Sequence, residues 1–147
     1  MKKKKRIRPL AICVFRHNDH ILVNEGYDAV KDEYFYRPLG GGIEFGETSI
    51  ETICREVMEE LNVEVDKASL KYLGAVENIF HFNGMPGHEI VMIYDGALKE
   101  AGLYDQEVIV GKEANGDEVQ AVWKGLDEFA SGKLILYPTG LVELLQK

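Results

Sequence analysis

At 147 residues and 16.6 kDa the chain has the size of one typical domain, and 46% hydrophobic with 29% charged residues excludes the apolar-poor composition of a disordered chain. A net charge of −8 and a pI near 5.0 argue against a nucleic-acid backbone as partner, because that affinity rests on clustered Lys and Arg. A polyanionic substrate would need cations as intermediaries, and a chain long enough to fold without disulfides or a structural metal leaves any bound metal for chemistry.

The chain opens on MKKKKRIR, a basic arm whose first six residues read as a flexible, solvated start. The apolar run Leu10 to Phe15 is only six residues long before Arg16 and His17 interrupt it. That is too short for a signal peptide, and no other segment approaches membrane-spanning length, so a cytoplasmic protein is expected. Arg8 to Phe15 and HILVNEG read as two strands around a turn at Asn18 and Asp19. Tyr34 to Tyr36 form a short aromatic strand with at least one ring facing out of the core, and Gly40 to Gly42 are expected to break regular structure. From Thr48 the apolar period changes to that of a helix, with Ile50, Ile53, Cys54, Val57, Met58 and Leu61 as one buried stripe. Thr48 and Glu51 form a capping box at its start, and Asn62, which tolerates the left-handed conformation, is a stop. Leu70 to Phe82 and Glu89 to Leu98 read as longer strands joined by the loop HFNGMPGHE. Val108 to Val110 and Val119 to Trp123 are shorter strands around a turn tipped by Asn115 and Gly116, with Trp123 in the core. Leu126 to Ala130 is one helical turn, and Thr139 to Leu145 a terminal helix. Strands outnumber helices and are mostly linked as hairpins, which predicts a mixed α/β arrangement. Cys13 and Cys54 lack metal or redox spacing and are expected as buried, reduced thiols.

The chemistry concentrates in GGGIEFGETSIETICREVMEELNV, Gly40 to Val63. At 100° per residue Glu56, Glu59 and Glu60 share one side of the helix, away from the apolar stripe. Like charges at this spacing are unfavourable on an exposed helix, and a cation between them would reverse the sign. An all-oxygen cluster with no His or Cys suits Mg2+ or Mn2+ rather than Zn2+. A solvated acidic face, relieved by the Glu51–Arg55 pair, is the plainer alternative. The glycine run favours a site, since backbone groups there can approach a phosphate or metal without side-chain obstruction.

Gly41, five residues, Glu47, seven residues, then REVMEELNV from Arg55 to Val63 resembles the signature of the Nudix hydrolase family, with Asn62 where the family usually carries Gly. The motif covers 23 of 147 residues. The resemblance implies one domain over residues 1–147, built as a three-layer α/β/α sandwich around a central mixed sheet. It also implies Mg2+-dependent hydrolysis, with Mn2+ as a substitute, of the pyrophosphate linkage in a nucleoside diphosphate joined to another moiety. Carried over by position, Glu56, Glu59 and Glu60 hold the metal with the carbonyl of Gly40, while Glu47 and Arg55 form the ion pair that fixes loop to helix. Glu56 or Glu60 takes a proton from water, with Glu56 preferred. The family often recruits one further acid from a later loop, for which Glu118 is the first candidate and Glu113 the second, a solvated loop acid being the plainer reading of each. Family members often dimerise, which leaves room for a homodimer.

Outside the motif, Arg37 is a candidate to reach a phosphate beside Gly41 and Gly42, with a surface ion pair as the plainer alternative. His17, His20, His81 and His88 read as exposed loop residues without zinc spacing, with substrate contact by His88 and Glu89, at the edge of a glycine-bearing loop, as the alternative for that pair. Two rival readings accompany this one: the same fold serving as a metabolite-sensing module with little or no turnover, and a nucleic-acid binder using the basic arm.

Overall fold

The computed structural model describes residues 5–112 and 115–147. The first apolar run forms strand β1 (Ile7–His17), and its alternate residues enter two separate cores. Ala11, Cys13 and Phe15 pack on one side, and Leu10, Ile12 and Val14 on the other. A strand apolar on both faces needs cover on both, and that requirement sets the layers. The remaining strands are β2 (His20–Asp28), β3 (Glu33–Gly42), β4 (Val65–Phe82), β5 (Met85–Leu98), β6 (Val108–Lys112) and β7 (Glu118–Gly125). The seven form one mixed sheet in the order β4-β5-β1-β3-β2-β7-β6, with β1 and β5 parallel and the other pairs antiparallel. Helix α1 (Ser49–Leu61) covers the face of Cys13 and Phe15, burying Ile53, Val57 and Leu61. Each such side chain contributes about 1.5–3 kcal/mol of burial. Short helices α2 (Leu126–Ala130) and α3 (Leu141–Leu145) cover the opposite face through Phe129, Leu141 and Leu145. The result is the expected three-layer α/β/α arrangement.

Helix α1 begins and ends where the sequence signals it. The Thr48 hydroxyl accepts from the Glu51 amide, and the Glu51 carboxylate accepts from the Thr48 amide. Asn62 adopts φ 57° and ψ 40°, and its amide donates to the Met58 carbonyl, so it does the work of the family's glycine. Met58 differs from expectation: it is exposed, because the stripe narrows to Thr52, Ile53, Val57 and Leu61. Both cysteines are free thiols, Cys13 buried and Cys54 half-buried.

Three elements correct the sequence reading. Gly40 to Gly42 do not break structure; they complete β3 and pair with Ile12, Ala11 and Leu10 of β1. A Cβ on Gly40 would stand 2.1 Å from the Ala11 carbonyl oxygen, so glycine is what lets the strands close here. HFNGMPGHE is not a loop, because β4 and β5 run on to a tight turn at Asn83 and Gly84, both with positive φ. Pro86 is tolerated there because β5 reaches past the start of β1, whose first partner is His88. A one-turn 3-10 helix, Ala101–Asp105, had no clear signal; it buries Leu103 and places the Tyr104 hydroxyl to accept from the Leu98 amide. Trp123 is half-buried and packs on the α1-side core beside Tyr104. Among the described residues no helix is long and apolar enough to cross a membrane.

Candidate functional site

The loop between β3 and α1 is held by one arginine. Arg55 donates from Nε to Glu47 Oε2 at 2.7 Å and from Nη2 to Glu47 Oε1 at 2.9 Å, a two-pronged pair. Its Nη2 also donates to the Gly42 carbonyl at 3.1 Å, and its Nη1 to Glu56 at 2.9 Å and Glu59 at 3.3 Å. Glu47 further accepts from the Thr52 hydroxyl and the Glu44 amide. The guanidinium therefore ties the glycine strand, the loop and two motif glutamates together, and the expected Glu47–Arg55 pair is present.

This network sets the protonation behaviour of Glu47. The hydrogen bonds from Arg55 and then Thr52 push its pKa from the ordinary 4.5 down to about 2. A depressed carboxyl stabilises the folded state fully above its unfolded pKa, and that contribution is lost as pH falls through the folded value. The wild-type protein is expected to lose stability between about pH 4.5 and 2 through this group, and Glu47→Gln to flatten that part of the profile. Thermal melts across pH 2–6 check this; identical slopes for both proteins would remove Glu47 from the account. The same contacts, Glu47 first, raise the pKa of Arg55, which stays cationic throughout.

A cleft of about 520 Å³ lies beside this network, between the β2–β3 and β4–β5 hairpins. At its inner end stand Gly40, Gly41 and Gly42 with Glu56 and Glu60. Glu56 occupies the space left by the missing side chain of Gly41: a Cβ there would stand 2.5 Å from the Glu56 carboxyl carbon. Glu60 accepts from Asn24 Nδ2 at 3.4 Å. Its backbone is fixed by Gly111 of β6, where a Cβ would come within 2.0 Å of the Glu60 carbonyl oxygen. Next outward come Arg37 of β3, Arg8 of β1, and the β4–β5 pair Asn78 and Glu89. Beyond them is an aromatic tier of Phe35 and Phe80. The end of each ring covers a glycine on the neighbouring strand, Gly26 and Gly87, where a Cβ would stand 2.4 and 2.3 Å from the ring carbon. At the outer end Asp28 Oδ2 accepts from the Asn83 amide at 3.2 Å and Asn83 Oδ1 from the Ala29 amide at 2.8 Å, tying the two hairpin tips together.

Of the candidates from the sequence, Gly40, Gly41, Gly42, Arg37, Glu56 and Glu60 meet at the cleft. Glu59 does not line it; its side chain is 60% exposed and bonds to Arg55. Glu118 is also outside the lining, exposed at the start of β7 and accepting from Gln120. Glu113 lies outside the described residues. Glu89 and His81 line the cleft while His88 does not, and His17 packs at a tilt against Tyr104 and Trp123 away from it. Arg8, Asn24 and Phe80 escaped the sequence reading, since each sits on a separate strand with no local motif. Among the described residues no three His, Cys, Asp or Glu side chains form a ready-made metal centre. The donor set at the inner end is nonetheless all oxygen, and the Gly41 notch seats a carboxylate against the glycine strand, which fits a hard divalent cation.

A mixed sheet between two helical layers, with a glycine-strand, loop and glutamate-helix unit opening on a cleft, defines a three-layer α/β protein with an acidic, oxygen-rich candidate site at the cleft's inner end. The chain belongs to the NUDIX family, whose domain model matches residues 5–143. It is similar to a NUDIX hydrolase from Nitrosomonas europaea at 17% identity, covering 96% of this chain and 87% of that one with a TM-score of 0.67. A MutT NUDIX hydrolase from Burkholderia pseudomallei matches at 18% identity, 97% and 98% coverage and TM-score 0.63. A MutT protein from Bacillus halodurans matches at 17% identity, 96% and 81% coverage and TM-score 0.64. At these identities the structures establish the shared fold.

Proposed function

We propose that the protein is a Mg2+-dependent pyrophosphohydrolase that cleaves the pyrophosphate linkage of a nucleoside diphosphate joined to a second moiety. The observation that carries this reading is the convergence of Glu56, Glu60 and the glycine strand at the inner end of a cleft that continues through arginines to aromatic rings. Glu56, Glu60 and the Gly40 carbonyl would hold the cation, and Glu59, outside the cleft lining, could join through the carboxylate oxygen not bonded to Arg55. When bound, such an ion polarises a phosphoryl oxygen and acidifies a water. Arg37 and Arg8, one tier outward, offset part of the repulsion that the glutamates present to an incoming diphosphate. Glu56 accepts the proton of the attacking water. The water oxygen bonds to phosphorus as the bridging anhydride bond breaks, and the departing phosphate keeps that electron pair. Arg55 and Glu47 act as positioning residues that keep Glu56 aimed at the glycine strand.

The test is a panel of nucleoside diphosphate compounds incubated with the protein in Mg2+ and, separately, in chelator. Two phosphate-bearing products formed only with Mg2+ are expected. Tight binding without any product would replace the hydrolase by a metabolite-sensing module, and product formation undiminished by chelator would overturn the metal assignment.

A further inference from the structure

Glu89 is a buried carboxylate, 3% exposed, in the wall of the cleft. Buried carboxylates ordinarily fill their lone pairs with close hydrogen bonds. Among the described residues Glu89 accepts one hydrogen bond, from Asn78 Nδ2 at a long 3.4 Å. Arg8 Nη1 and Arg37 Nη2 lie 3.7 and 4.0 Å away, near enough to balance its charge and too far to donate to it. Asn78 is itself anchored, because its Oδ1 accepts from the Thr139 amide. The carboxylate therefore retains acceptor capacity at the cleft surface.

Its place in the cleft says what should meet it. Outward from the catalytic glutamates, Glu89 stands in the tier between the glycine strand and the rings of Phe35 and Phe80. A nucleotide lying along the cleft with its phosphates at the glutamates and its base against the rings puts its sugar in that middle tier. A sugar offers neighbouring O–H donors, which a two-oxygen acceptor matches.

We propose that Glu89 determines specificity by accepting hydrogen bonds from the ribose hydroxyls, so that ribonucleotides are selected over 2′-deoxyribonucleotides. This rests on the nucleoside diphosphate reading given above. A hydroxyl bonded to a charged acceptor is worth roughly a ten- to hundredfold difference in affinity, and a deoxy analogue also leaves the buried acceptor unmatched.

Calorimetric titration of the whole protein with the four ribonucleoside diphosphates and their 2′-deoxy counterparts, in Mg2+, reads this directly. Wild type is expected to bind the best ribonucleotide about ten- to hundredfold more tightly than its deoxy form. Glu89→Gln is expected to lower that ratio below about threefold by removing the charge from the acceptor. Glu89→Asp, which keeps the charge but draws it back by one methylene, covers the case in which the Gln variant does not fold and should also lower the ratio. Equal ribo and deoxy affinities in wild type, or an undiminished ratio in folded variants, overturns the assignment. The ratio is a binding measurement, so absent turnover would defeat the hydrolase reading while leaving this one standing, and equal affinities with normal turnover would do the reverse.

Discussion

Glu56→Gln is expected to reduce turnover by roughly 10²–10⁴-fold, the usual worth of a positioned general base, with little change in melting temperature. The carboxylate sits where it can act: it fills the notch left by Gly41, lines the cleft, and is held from behind by Arg55 Nη1 at 2.9 Å. Gln keeps the shape and the hydrogen bond to Arg55 through its amide oxygen, so what is lost is the carboxylate's charge: part of its hold on the cation, which high Mg2+ can restore, and its ability to take a proton, which Mg2+ cannot. Glu60→Gln separates this role from metal holding. Its expected signature is an Mg2+ requirement raised about tenfold or more, partly overcome at high Mg2+. Steady-state kinetics at varied Mg2+ on the best compound of the panel decides between them. Full turnover in Glu56→Gln together with an irrecoverable loss in Glu60→Gln would move the base to Glu60.

What the sequence could reveal of this site follows from how local each part is. Glu47, Arg55, Glu56, Glu59 and Glu60 lie within fourteen positions, most of them on one helix, so spacing alone fixes their relation. The helix caps were equally readable, because Thr48 and Glu51 answer each other across one turn. The cleft's other wall is a tertiary product. Arg8, Asn24, Arg37, Asn78, Phe80 and Glu89 come from five strands, and it is the registers Asn78↔Glu89, Arg8↔Glu89 and Asn24↔Arg37 that make neighbours of residues apart in sequence. The glycines misled for a physical reason. Gly40 to Gly42 and Gly87 look like breakers by propensity, yet each sits in a strand where a Cβ would touch a backbone, a carboxylate, a guanidinium or a ring. Close approach, rather than chain reversal, is what those positions require.

That distinction separates two adjacent substitutions. Gly40→Ala is expected to destabilise the protein by about 3 kcal/mol or more. Its φ of 148° disfavours any L side chain, and its Cβ would meet the Ala11 carbonyl oxygen at 2.1 Å and Ile12 Cα at 2.7 Å. Both are backbone atoms of β1, the strand packed between the two cores, so neither can yield. A melting temperature lower by roughly 6–12 °C is the expected reading for a chain of this size. Gly41→Ala meets a different obstacle. Its φ lies outside the positive range that L side chains avoid, and the three nearest atoms all belong to the carboxyl group of Glu56, at 2.5–2.8 Å. A flexible side chain can swing aside, so the fold should survive with a melting temperature within about 3 °C of wild type. Glu56 can swing only by leaving the glycine strand and straining its bond to Arg55, and displacement of a reacting group by about 1 Å costs on the order of 10²-fold in rate. Gly41→Ala should therefore be a folded, nearly inactive protein and Gly40→Ala a destabilised one. Melting curves and turnover measured side by side decide it: a Gly41→Ala protein with full activity would show that the Glu56 carboxylate does not work from this notch.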